Sequence, residues 1–108
     1  MTAKALARQI AGGETTAVAV CEAHLERIKT IEPRLRAFNT VVADRALDRA
    51  RALDAVQKDG AALGPLHGVP VAIKDNMVQS GEPTTCSSRI LEGFVSPYTA
   101  TAVSRLEQ

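Results

Sequence analysis

The sequence predicts an α/β fold that is mostly helical and contains one or two strands. Three segments with helical periodicity fill the first 60 residues, and one continuous apolar run, Val69–Ile73, follows them. Charge follows the same division, since residues 1–60 carry 18 of the 25 charged side chains and residues 61–95 carry five. We therefore expect a front of solvated helices over residues 1–60, and the start of a covered sheet core over residues 64–108.

Three helices are predicted in the front part. The Ala-rich segment Met1–Ala11 ends at a Gly pair. The second helix runs from about residue 16 to 31, with Thr15 or Thr16 as its cap and Pro33 at its end. Its apolar face consists of Val18, Cys21, Leu25 and Ile28. The third helix spans about residues 40–58, where Asp54 and Lys58 are spaced to form an i,i+4 ion pair. Its apolar face consists of Val42, Ala46, Ala50, Leu53 and Val56.

The run Val69–Ile73 predicts a strand buried on both faces, because such strands are typically continuous apolar segments. Pro70 cannot donate to a neighbouring strand, so it must lie at the strand's start or on an edge. A short helical piece near residues 89–92 follows, and a last helix begins near Thr99. A single strand cannot satisfy its backbone without neighbours, so we expect the chain to be the truncated front of a larger α/β domain.

Composition excludes several classes of function. The net charge is +1, which gives no electrostatic basis for direct binding to nucleic acid or to an anionic membrane. Two cysteines, Cys21 and Cys86, are too few for a disulfide scaffold or a zinc site. No stretch approaches the roughly 20 apolar residues of a membrane span, so a cytoplasmic protein with reduced thiols and no metal is expected.

Lys74 is the strongest candidate for chemistry. It follows the apolar run and precedes Asp75 and Asn76, and the strand ends of α/β sheets are where catalytic groups are presented. A lysine held in a dry site favours its neutral form, which can act as a general base toward a serine hydroxyl. The alternative is a surface lysine beside a surface aspartate, and spacing alone favours that alternative.

Three other candidates have weaker support. The hydroxyl-rich run Thr84–Ser88 could supply a nucleophile or bind a carboxylate, but a polar turn bonded to its own backbone is favoured. Cys86 with His67 would be the minimum for a thiol hydrolase, although such a pair is expected by chance. His24 is interpreted as a solvated helix residue and Cys21 as a core residue.

A family resemblance adds to this interpretation. The segment Gly64–Asn76, GPLHGVPVAIKDN, resembles the opening motif of the amidase signature family. The segment Thr84–Tyr98, TTCSSRILEGFVSPY, resembles more narrowly the A subunits of glutamyl-tRNA(Gln)/aspartyl-tRNA(Asn) amidotransferases, and the helical front around Ala23–Ile28 also fits. The resemblance implies a mixed sheet covered by helices, of which residues 1–108 would be the truncated N-terminal portion.

The sequence departs from that family at three positions outside Lys74. Thr99 stands where the family commonly has Asp, and Thr is a workable cap for the last helix. Ser87 stands where Ala or Gly is common, and Arg36 stands where Asn is frequent.

The resemblance also implies a Ser–cis-Ser–Lys site that hydrolyses the side-chain amide of glutamine, with Lys74 as its lysine. It implies a B subunit that uses ATP and Mg²⁺ to amidate misacylated tRNA, a small C subunit, and no cofactor in this chain. The family's two serines lie in a Gly/Ser-rich segment that this sequence lacks, so the 108 residues alone are expected to be inactive. The alternatives are a front part of another amide hydrolase of the family, and a non-catalytic helical fragment that binds a partner.

Overall fold

The computed structural model describes residues 1–108 as four α-helices, one 3₁₀-helix and no β-strand. The helices are α1 Ala3–Ala11, α2 Ala17–Leu35, α3 Ala43–Lys58 and α4 Thr101–Glu107, with the 3₁₀-helix at Arg89–Leu91. The prediction of a mostly helical chain is thus confirmed. The chain divides into two compact units, Met1–Pro70 and Val71–Gln108. No helix combines the length and the apolar character needed to cross a membrane.

The core of the first unit is the contact between α2 and α3. Ala17, Cys21 and Ala50 are buried at this contact. Partly buried apolar side chains surround them, namely Val18, Leu25, Ala46, Leu47 and Leu53. The predicted apolar face of α2 and the core position of Cys21 are confirmed. The predicted face of α3 is wrong at its end, because Val56 is 39% exposed.

Two side chains cap the N-terminus of α2. The Thr16 hydroxyl accepts a hydrogen bond from the Ala19 N–H at 3.1 Å, as predicted. The Asp54 carboxylate, on α3, accepts from the N–H groups of Ala17 at 2.7 Å and Val18 at 3.1 Å. The predicted pairing of Asp54 with Lys58 is therefore wrong. The reason is that unpaired N–H groups at a helix start attract a carboxylate more effectively than an exposed lysine does.

Polar bonds from α3 also reach α1 and the turn that follows α3. The Gln57 side chain donates to the Ile10 carbonyl at 2.7 Å, and the buried His67 bonds through Nε2 to the Leu53 carbonyl at 3.1 Å. Together with Asp54, these residues connect the C-terminal half of α3 to α2, to the end of α1 and to the turn at His67.

The predicted end of α2 is wrong. The helix continues through Pro33 to Leu35, because a proline in the last turn removes only one hydrogen bond. Arg36 then ends the helix in the left-handed conformation, with φ 49° and its N–H bonded to the Glu32 carbonyl at 2.8 Å. The Glu32 side chain also accepts from the Phe38 N–H at 2.8 Å, which fixes the chain leaving the helix.

The predicted strand over Val69–Ile73 is not formed. These residues have no regular secondary structure, and the only β-type pairing in residues 1–108 is an isolated antiparallel bridge between Pro83 and Val95. A strand requires a neighbouring strand to satisfy its N–H and C=O groups, and these 108 residues provide none for this run. Its apolar composition therefore indicates a tendency to be covered, without determining its backbone conformation.

Hydrogen bonds between loops organise the second unit. The Gly81 N–H donates to the Ser96 carbonyl at 2.8 Å, and the Ser96 N–H donates to the Glu82 carbonyl at 3.2 Å. Thr99 does not cap α4 as predicted, because its hydroxyl accepts from the Ser80 N–H at 3.0 Å, and Ala100 occupies the cap position. The short helical piece predicted near residues 89–92 is confirmed.

Gly68 should be intolerant of a side chain for a steric reason that Gly60 does not share. A Cβ on Gly68 would lie 2.9 Å from Ile10 Cδ1 and 3.0 Å from Ala17 Cβ, whereas one on Gly60 would meet nothing. Both glycines have positive φ, at 72° and 73°, so both substitutions share the backbone strain. We expect Gly68→Ala to lower the free energy of unfolding by about 2 kcal/mol more than Gly60→Ala does. Urea unfolding followed by circular dichroism measures the difference, and equal effects would contradict the packing described.

Asp54 should stabilise the first unit as a cap. We expect Asp54→Ala to lower the free energy of unfolding by about 1–2 kcal/mol, because it leaves two N–H groups of α2 without their acceptor. Asp48→Ala is the matched control, since its carboxylate bonds only the exposed Arg51 on the same helix, at 2.7 Å. That change should cost about 0.5 kcal/mol or less. The cap assignment is wrong if the two variants melt at the same temperature.

Candidate functional site

Lys74 lies in the second unit and is exposed. It begins a turn that is closed by a hydrogen bond from the Met77 N–H to the Lys74 carbonyl, at 2.9 Å. The strand that was predicted to present Lys74 is not formed, so the turn and its neighbours fix the backbone at this position. The Lys74 side chain is therefore accessible from solvent.

Asp75, next to Lys74, binds a loop ten residues further along the chain. Its Oδ1 accepts from the Thr85 N–H at 2.8 Å and its Oδ2 accepts from the Thr85 hydroxyl at 2.5 Å. Its carbonyl accepts from the Cys86 N–H at 3.1 Å. We call this set of three bonds the Asp75–Thr85 clamp. It ties the backbone beside Lys74 to the loop at Thr85 and Cys86.

The sequence did not predict this clamp. It presented Asp75 only as a neighbour of Lys74. It allowed that the run Thr84–Ser88 could bind a carboxylate, but it favoured a turn bonded to itself and did not name Asp75 as a partner. The available signal was an aspartate beside the candidate lysine together with a hydroxyl-rich run. No periodicity links residues ten apart in irregular segments, so the sequence alone could not pair them.

The run Thr84–Ser88 is nevertheless partly the polar turn that was predicted. The Ser87 N–H donates to the Thr85 hydroxyl at 3.2 Å, and the Ser88 N–H donates to the Thr85 carbonyl at 2.8 Å. Cys86 and Ser87 both have positive φ, at 50° and 56°, which is unfavourable for residues other than glycine. Such a conformation costs on the order of 1 kcal/mol per residue and persists only where other bonds enforce it. The Asp75–Thr85 clamp supplies those bonds.

The remaining candidates occupy structural or surface positions. His67 is buried in the first unit and its Nε2 is used on the Leu53 carbonyl, whereas Cys86 is an exposed residue of the second unit. His24 is exposed, as predicted, and its Nδ1 lies 2.7 Å from the Val20 carbonyl on its own helix. No group of three His, Cys, Asp or Glu side chains in residues 1–108 is placed to hold a metal ion.

The two cysteines have different environments. Burial raises the pKa of the Cys21 thiol above its ordinary value, and the negative charge of Glu22 raises it further. Cys86 is exposed beside the clamp. Since the thiolate is the reactive form, Cys21 has the character of an inert core residue.

Comparison with known proteins gives consistent matches over this chain. A sequence model of the family described as Amidase matches residues 19–108. The A subunit of glutamyl-tRNA(Gln) amidotransferase from Symbiobacterium thermophilum is 51% identical over 107 residues, which are 98% of this chain and 22% of that protein. The A subunit of the Streptomyces coelicolor enzyme is 49% identical over 107 residues, or 99% of this chain and 22% of that protein. The chain thus spans about a fifth of the length of these relatives.

Solved structures match over the same range. One was described as an unexpected vestigial protein complex that reveals the evolutionary origins of an s-triazine catabolic enzyme, and a second is the same complex bound to an inhibitor. Each superposes with a TM-score of 0.94 at 31% identity, covering 99% of this chain and 24% of the matched chain.

The two thiols should differ in reactivity. At pH 8 we expect a disulfide reagent such as DTNB to label Cys86 rapidly, and to label Cys21 only after denaturant is added, because burial protects Cys21 and disfavours its thiolate. Cys86→Ser should remove the fast phase, and Cys21→Ser should leave it intact. Equal labelling rates in the native chain would show that α2 and α3 do not pack around Cys21 as described.

Proposed function

This chain belongs to the amidase family, and on that premise we propose that it supplies the lysine of a glutamine-hydrolysing site in an amidotransferase A subunit. The observation that carries the proposal is the likeness to A-subunit relatives, which extends over nearly the whole chain and so includes Lys74. The lysine lies in the motif Lys74–Asn76, directly after the apolar run. The ammonia released would serve the conversion of Glu-tRNA(Gln) or Asp-tRNA(Asn) to the amidated tRNA.

The proposed chemistry requires Lys74 as a general base. A serine oxygen attacks the side-chain amide carbon of glutamine, while the Lys74 amine accepts the serine's proton through a bridging serine. The proton passes to the amide nitrogen, the C–N bond breaks and ammonia leaves. Water then hydrolyses the acyl-serine ester, releasing glutamate and restoring the serine. Both serines would come from a Gly/Ser-rich segment, which is not present in residues 1–108.

The geometry supports this role for Lys74 in two respects. Its side chain is exposed, so it is open to contact with a catalytic serine that approaches this surface. Its backbone is restrained at the peptide unit that joins it to Asp75, because the Lys74 carbonyl bonds the Met77 N–H and Asp75 bonds the Thr85 loop. A general base needs both access to the proton and a defined position.

The partners follow from the same proposal. A B subunit would use ATP and Mg²⁺ to activate the misacylated tRNA, and a small C subunit would join the A and B subunits. The net charge of +1 is consistent with tRNA binding elsewhere in such an assembly. The structural likeness to the complex associated with an s-triazine catabolic enzyme makes another amide substrate the second candidate. Glutamine is favoured because the A-subunit relatives are about half identical to this chain, against 31% for that complex.

The test uses the native protein, carrying an affinity tag in its source cells and purified with the subunits that accompany it. We expect a mass several-fold above 11.4 kDa and release of ammonia from glutamine. Lys74→Ala should lower kcat by about 10³-fold, and Lys74→Arg should do the same because arginine cannot lose its proton. Lys58→Ala, on the last turn of α3, is the control and should leave kcat unchanged.

Three results would count against the proposal. Full activity in Lys74→Ala would remove the lysine from the mechanism. Ammonia release from another amide, with glutamine left intact, would favour the second candidate. A native protein of 11.4 kDa that hydrolyses no amide would support the non-catalytic alternative.

A further inference from the structure

We propose that Asp75 and Thr85 are positioning residues for Lys74, with the Thr85 hydroxyl as the element that aligns the lysine for proton transfer. This inference rests on the proposed function of Lys74. It assigns a kinetic role to a pair of residues that touch neither the substrate nor the transferred proton. Their effect would pass through the peptide unit that joins Lys74 to Asp75.

The first support is the number and direction of the bonds. Asp75 engages the Thr85 loop with both carboxylate oxygens and also with its main-chain carbonyl. Three bonds from one residue restrain its side chain and its backbone together, which a single bond could not do. Asp75 and Thr85 are also half-buried, so water competes less with these bonds than it would at an exposed pair.

The second support is the double use of the Thr85 hydroxyl. It donates to Asp75 Oδ2 at 2.5 Å and accepts from the Ser87 N–H at 3.2 Å. A hydroxyl is the group that can do both with one oxygen, so serine can replace threonine here but valine cannot. Thr85→Ser, which keeps the hydroxyl, and Thr85→Val, which removes it, therefore form a matched pair of substitutions.

The third support is that two restraints act on the peptide unit that joins Lys74 to Asp75. The Lys74 carbonyl accepts from the Met77 N–H, and Asp75 is held by the clamp. A lysine amine sits at the end of a long side chain, so a small tilt of the backbone displaces it considerably. Misplacement of a reacting group by about 1 Å can reduce the rate about 10²-fold.

The experiment compares variants of the native tagged protein in glutamine hydrolysis. We expect Thr85→Val to lower kcat by about 10- to 100-fold with KM changed less than about threefold, because positioning of the base affects the chemical step and not glutamine binding. Thr85→Ser should retain kcat within about threefold of the parent. If Thr85→Val does not fold, Asp75→Ala replaces it, since it removes both side-chain acceptors of the clamp.

Thr99→Val is the matched control. The Thr99 hydroxyl also accepts a loop N–H in the second unit, from Ser80 at 3.0 Å, but it lies outside the clamp. We expect it to lower the melting temperature about as much as Thr85→Val does while kcat stays unchanged. All kcat values are taken per folded enzyme, so a loss of stability does not register as a loss of rate.

The outcomes separate the two proposals. If Lys74→Ala is inactive and Thr85→Val keeps the parent kcat, the positioning role is overturned and the function of Lys74 stands. The positioning role is also overturned if Thr85→Ser loses as much rate as Thr85→Val, because the hydroxyl is then not the element that matters. If Lys74→Ala is fully active, the proposed function itself fails, and the inference fails with it.

Discussion

The bond between the Asp54 carboxylate and the first N–H groups of α2 is the interaction on which the first unit depends. It fixes Ala17, which is fully buried and also packs against Gly68. The same stretch of α3 holds α1 through Gln57 and the following turn through the Leu53 carbonyl. A core of small side chains buries little apolar area, so directional polar bonds between elements determine how these helices meet.

Polar bonds also hold the second unit together, although it has no helix of substantial length. It contains only the 3₁₀-helix and the seven-residue α4, so loop-to-loop bonds hold it together. Asp75, Ser96 and Thr99 each bind backbone groups of the unit through polar side-chain atoms. Such a scaffold restrains the backbone beside Lys74 through the bonds that the Lys74 carbonyl and Asp75 make.

The helices could be predicted from the sequence because their signals are local. The Ala-rich composition and the following Gly pair located α1, and apolar spacing located α2 and α3. Thr16 lies only three residues before the Ala19 N–H that its side chain caps. Asp54 and Asp75 could not be paired in advance, since their partners lie 36–37 and 10 residues away. The apolar composition of Val69–Ile73 favours burial. A strand also requires a neighbouring strand, which the local sequence does not specify. Lys74 was singled out by its place after the apolar run, but spacing alone favoured a surface lysine, and only the family motif implied a catalytic role.

Two of the three positions at which this sequence departs from what its family resemblance implies have a left-handed backbone conformation. Arg36 and Ser87 both have left-handed φ, at 49° and 56°. The family resemblance implies Asn at the first position and Ala or Gly at the second. Asn and Gly adopt that conformation most readily. In this chain, bonds from neighbouring residues hold that conformation: the Arg36 N–H donates to the Glu32 carbonyl, and the Ser87 N–H donates to the Thr85 hydroxyl. A left-handed turn therefore requires either a residue that prefers the conformation or hydrogen bonds that compensate for one that does not.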